Sequence, residues 1–102
     1  MHLVHVLVPV YDNEGRPFPR DTFAAVRREL ADRFGGVTAY TRAPAEGVWE
    51  DDEGRVHHDD VVVVEVMVDT LDRPWWSAYR QALAARFRQQ ELVVRATAME
   101  SL

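Results

Sequence analysis

Residues 23–34 read FAAVRRELADRF and residues 76–87 read WSAYRQALAARF, and the reading of this pair decides the fold. Phe23, Val26, Leu30 and Phe34 recur 53 residues later as Trp76, Tyr79, Leu83 and Phe87, with the same 3, 4, 4 apolar spacing. That spacing lines four side chains along one face of an α-helix, so both segments are amphipathic helices in need of an apolar surface. Leu30, Ala31, Arg33 and Phe34 also match Leu83, Ala84, Arg86 and Phe87 by identity. So short a match supports a pseudo-symmetry of shape and leaves duplication and convergence equally open.

Outward from the helices the pattern changes to a period of two. Residues 2–11 alternate, with Val4, Val6, Val8 and Val10 on one side and Leu3, His5, Leu7 and Pro9 on the other, as a half-buried strand requires. Residues 12–20 hold Asn13, Gly15, Pro17 and Pro19, which is turn chemistry, and Asp21 is expected to cap the first helix. Gly35 and Gly36 end that helix, the first in the left-handed conformation. Residues 37–43 form a short strand, ended by residues 44–47, and a long hairpin loop follows through Trp49 and the acidic turn 51–54. Residues 59–69 are the strongest strand, with Val62, Val64, Val66 and Val68 on one face and Val61, Val63, Glu65 and Met67 on the other. Asp72 caps the second helix, Pro74 sits in its first turn where the missing N–H costs nothing, and residues 92–99 close as the last strand.

The order βαββαβ predicts a ferredoxin-like α+β sandwich: a four-stranded antiparallel sheet of order 4132 with both helices on one face, residues 1–102 forming a single domain. The reverse face would then display Leu3, Leu7, Val63, Met67 and Val93. A solvated face should be polar at such positions, so a second copy packed sheet against sheet is expected to cover it.

Composition excludes more than it selects. With no Cys and no Lys in 102 residues, thiolate, disulfide, iron–sulfur and lysine Schiff-base chemistry drop out. The twelve cations are all Arg, which reads as codon usage in a GC-rich genome. A formal net charge of -5 argues against nucleic acid as the main partner. The absence of a basic leader and of any apolar run near the roughly 20 residues of a membrane span points to a cytoplasmic protein without a membrane partner.

No stretch carries a motif that names a reaction, and no cofactor is expected. The best candidates lie on the open face. Taking the first and third strands as parallel neighbours and matching their valine rows sets His5 near Glu65, with Tyr40 and Arg95 pointing the same way. A His held by a carboxylate is the usual arrangement of a general base, and Arg and Tyr could hold an anionic oxygen. The plainer alternative is that these polar groups pair so that no charge is buried alone. Trp49 is either a lid on the same pocket or a completion of the core at the hairpin base. His57, His58, Asp59 and Asp60 are the densest run of metal-ligand types, but neighbours in a strand point to opposite faces, so no metal site is expected. Asp12 with Glu14, and residues 51–54, read as solvated turns. Trp75, rotated off the inward face, is expected to touch a partner or the loop after the first strand.

Phe34, Gly35, Gly36 and Thr38, then Gly47 and Trp49, then Tyr79, Phe87 and Gln89 resemble a group of small uncharacterised bacterial proteins, over roughly residues 30 to 95. The resemblance implies a ferredoxin-like domain and adds no activity. More loosely, the layout is similar to dimeric α/β-barrel proteins, which include cofactor-independent monooxygenases, isomerases and simple binding proteins. The leading expectation is a homodimer that binds a small molecule on the open sheet face, lined by His5, Tyr40, Trp49, Glu65 and Arg95. A structural or protein-interaction module without a pocket is the alternative. A cofactor-independent isomerase or monooxygenase using His5 and Glu65 is a further one.

Overall fold

The computed structural model describes the backbone of all 102 residues and every side chain except that of Ala43. Six elements follow in the expected order: β1 (His2–Pro9), α1 (Arg20–Phe34), β2 (Thr38–Glu50), β3 (Val56–Val68), α2 (Arg73–Arg86) and β4 (Val94–Ala98). They form one four-stranded sheet of order β2-β3-β1-β4, which is the 4132 order of the ferredoxin-like α+β sandwich. No helix is long and apolar enough to cross a membrane.

Alternation along the strands builds the core. Val4, Val6 and Val8 of β1 and Val62, Val64, Val66 and Val68 of β3 are buried together with Val26, Leu30, Trp76, Leu83 and Phe87 from the helices. Phe23, Phe34 and Tyr79 of the repeated face pack at its margin, partly buried. Each such side chain contributes about 1.5–3 kcal/mol on full burial, so the valine rows and helix stripes explain why the helices lie on this face and no other. The two helices are further joined by Glu29, which accepts from Arg86 Nη1 at 2.8 Å, Arg86 Nη2 at 2.9 Å and the Tyr79 hydroxyl at 2.9 Å.

Four expectations need correction. First, β1 and β3 are antiparallel, with His2 opposite Val68 and Pro9 opposite Val61. In a split βαβ unit the strands joined by a helix are the parallel ones, and β3 lies between them. Second, β2 does not stop at Ala43. It runs to Glu50 and pairs with β3 across a long two-stranded arm, interrupted by a shift in register between Tyr40 and Ala45. Pro44 falls in that irregularity on an edge strand, where a missing N–H breaks no ladder. Third, α1 starts at Arg20 after Pro19 with no side-chain cap, leaving Asp21 in the first turn, where its charge suits the helix dipole. Fourth, Trp75 is half-buried against its own chain, edge-on to Phe34 at 5.2 Å, stacked on Tyr79 at 5.0 Å and covered by the Arg33 guanidinium at 4.3 Å.

The helix ends follow the sequence elsewhere. Gly35 has φ 83° and bonds back to Ala31. Asp72 accepts from the Trp75 backbone N–H at 3.1 Å.

The two turns at one end of the sheet share a sequence and a shape. Asp12-Asn13-Glu14-Gly15-Arg16 and Asp51-Asp52-Glu53-Gly54-Arg55 each place an Asp Oδ1 2.9 Å from the N–H groups two and four residues on. Gly15 and Gly54 sit at φ 79° and 80° respectively, where a side chain would be strained. Backbone donors hold both aspartates ionised and below the usual carboxylate range, and the His57 ring acts first on Asp51. The acidic groups are thus consumed by their own turns.

Candidate functional site

The face of the sheet turned away from the helices carries the polar cluster. Antiparallel pairing sets His5 directly opposite Glu65 on one side and opposite Arg95 on the other. Tyr40 sits opposite Val63 and Thr38 opposite Glu65, so β2 completes the set. Because the side-chain period is two, residues paired in register share a face, with His5, Glu65, Arg95 and Thr38 in one row across the sheet and Tyr40 one row further along β3.

Glu65 is the hub. His5 Nε2 lies 3.1 Å from Glu65 Oε2, and the Tyr40 hydroxyl donates to Glu65 Oε1 at 3.1 Å. The His5 and Glu65 side chains are 25% and 21% exposed, enough shielding to strengthen the pair and enough access for a ligand to reach it. An ionised carboxylate only accepts, so the imidazole Nε2 is the donor in this bond. The bond to Glu65 raises the Tyr40 pKa above its ordinary value, which keeps the phenol protonated and a donor. Arg95 has no carboxylate within ion-pair reach among the described residues. The Tyr40 proton and the His5 Nε2 contact are thus both taken up by Glu65, and Arg95 is left as the free cation of the set.

Around it the face is apolar and wet. Met67 is 58% exposed, Val93 50% and Tyr40 48%, while Leu3, Leu7 and Val63 are half-buried. None of these lies beneath the helices.

Of the five lining residues read from the sequence, four come together and Trp49 does not. Trp49 pairs with His57 near the tip of the β2–β3 arm, stacks on its ring at 4.2 Å, and donates from Nε1 to Asp59. Eight residues of β3 separate His57 from Glu65, roughly 25 Å along an extended strand. Trp49 is therefore neither a lid over His5 in its own chain nor part of the core. The reason is the length of β2, which carries Trp49 outward on the arm.

The histidine pair also separates. His57 Nε2 lies 2.9 Å from Asp51 Oδ2 and His58 Nδ1 lies 3.0 Å from Glu46 Oε1, on alternate sides of the strand. Among the described residues no three His, Cys, Asp or Glu side chains converge as metal ligands.

One feature escaped the sequence reading. A cleft of about 250 Å³ opens between the start of α2 and the edge strand β4, bordered by Arg73, Arg80 and Arg95. Arg73, Ser77 and Arg80 fall on one side of α2 by their spacing, and that was the available signal. A second hollow of about 370 Å³ lies between the first turn and residues 58–60. Neither hollow includes His5 or Glu65.

Fold and cluster together define the class: a ferredoxin-like α+β sandwich with a hydrogen-bonded polar group on its uncovered face. Two solved structures share this arrangement of the chain. A phage SAM lyase in complex with S-methyl-5'-thioadenosine has a TM-score of 0.61 at 14% identity, over 94% of this chain and 79% of that one. A phage SAM lyase in its apo state gives 0.61 at 13% identity, over 94% and 78%. At such identity the likeness is one of fold. No protein-family model matches the sequence, and no curated protein does.

Proposed function

We propose that the chain is a small-molecule-binding protein whose site is made when a second copy covers the open sheet face. The observation that carries this reading is the Glu65 hub, which joins His5 and Tyr40 in the middle of an otherwise apolar surface. Water alone could satisfy these groups, but water gives no account of Met67, Val93, Leu3 and Leu7 around them. A partner surface does, and a polar group left inside an apolar interface is a recognition element for a ligand with its own donor and acceptor. The protein would work in the cytoplasm, and the resemblance to small bacterial proteins belongs to the same reading.

The neighbours in fold supply the first probes, SAM and S-methyl-5'-thioadenosine. In calorimetric titration of the homodimer, micromolar binding of either, weakened roughly tenfold by Glu65→Gln, is the expected result. No heat from either probe would reject this ligand class. A structure of the dimer with a dry, fully packed interface over Glu65 would reject the pocket and favour the interaction module. For the isomerase or oxygenase alternative, His5→Ala should abolish turnover while leaving the melting temperature nearly unchanged.

A further inference from the structure

The cleft between α2 and β4 has walls of opposite character. Val4 and the ring of Trp76 supply an apolar part, Ser77 a hydroxyl, and Arg73 and Arg80 the charge, while β4 borders it along Val94, Arg95 and Ala96. No Asp or Glu is among its lining residues. Five of the twelve arginines form ion pairs with carboxylates, namely Arg16, Arg33, Arg55, Arg86 and Arg88. Of those without such a pair, Arg73 and Arg80 border one cleft from the same side of α2. Guanidinium groups are charged at every physiological pH, so their mutual repulsion is permanent unless an anion offsets it.

A second observation concerns a different atom. Trp76 is 5% exposed, and its indole Nε1–H is buried without any hydrogen-bond partner. Buried donors are nearly always satisfied, and this one, on a residue that lines the cleft, has no acceptor in its own chain.

We propose that this cleft binds a small oxyanion with an apolar body, a carboxylate or a phosphate ester. The guanidinium forks of Arg73 and Arg80 match the geometry of such a group, which Lys would not. The volume of about 250 Å³ lies just below the range of about 300–1,000 Å³ for drug-sized ligands, so the ligand is a compact metabolite, not a dinucleotide. The cleft lies on the helix side of β4, and Arg95, whose strand position shares the face of His5, is not counted among its anion-binding residues.

The test uses the full chain and three probes: phenyl phosphate, benzoate and inorganic phosphate. Binding is followed by the indole N–H resonance of Trp76, assigned by its loss in Trp76→Phe. Phenyl phosphate or benzoate should move that resonance saturably at millimolar concentration, and the tighter of the two identifies the head group. Inorganic phosphate should bind more weakly for want of an apolar part. Arg80→Gln should weaken binding by roughly tenfold, the loss of one charge-assisted hydrogen bond, while Arg80→Lys restores part of it. Arg20→Gln, on α1 and away from the cleft, should leave the affinity unchanged. A Trp76 resonance that stays fixed in folded protein would overturn the proposal. So would an equal loss in Arg20→Gln and Arg80→Gln, which would mark a general charge effect.

Discussion

The two faces of the sheet are made by alternate residues of the same strands, yet they do different work. On the covered face Val4, Val6 and Val8 of β1 lie against Val62, Val64 and Val66 of β3, and the helices pack over them. On the other, the same strands present Leu3, His5 and Leu7 against Val63, Glu65 and Met67, and no element of the chain closes over them. A uniform apolar face is free to be buried by the chain itself. A mixed face is not, since each buried polar group must find its bond, and here they find one another through Glu65. The contrast teaches that stability and recognition are divided by strand parity, so substitutions on the two faces should fail in different ways.

The largest difference is expected from Phe87→Ala. Phe87 is fully buried and meets Phe18 edge-on at 4.9 Å, so its removal should cost about 3–5 kcal/mol in denaturant unfolding. Met67→Asp on the open face should change monomer stability by no more than about 0.5 kcal/mol while weakening self-association by about 2 kcal/mol or more. If Met67→Asp unfolded the chain, the two faces would not be separable.

Smaller effects sharpen the picture. Arg86 holds the Glu29 carboxyl below its unfolded value of 4.5, so the stabilisation is fully present above pH 4.5 and lost as pH falls through the folded-state value. Glu29 is 39% exposed, so Arg86→Gln should cost less than about 1 kcal/mol at neutral pH and flatten the acid limb of the stability curve. Burial and Glu29 both push the Tyr79 hydroxyl up, so this phenol should not titrate before alkaline unfolding. The smallest change concerns Tyr40: with Glu65→Gln its phenolate should form at lower pH, since the carboxylate that opposes ionisation is gone. An ultraviolet titration that finds no shift would place Tyr40 outside the cluster.

Much of this was legible because periodicity reports burial. The 3, 4, 4 helical faces and the valine rows gave the element order, the covered side and the pairing of His5 with Glu65. A parallel alignment of the valine rows brings His5 only near Glu65, and the antiparallel register sets the two directly opposite. What the pattern did not carry was length beyond the core. Pro44 and Gly47 read as a stop, whereas an edge strand absorbs both through a shift in register, and Trp49 travels outward with it. The arginine-lined cleft was obscured for another reason. A chain whose cations are all Arg hides Arg73 and Arg80 among ten others, and only the partners of each reveal which are free.

The central claim is that the open face is closed by a second copy. Light scattering on the eluting protein at micromolar concentration is predicted to give twice the chain mass of 11.7 kDa, falling to a single chain in Met67→Asp. A wild-type chain that elutes at 11.7 kDa, with Leu3, Leu7 and Met67 left in water, would contradict it.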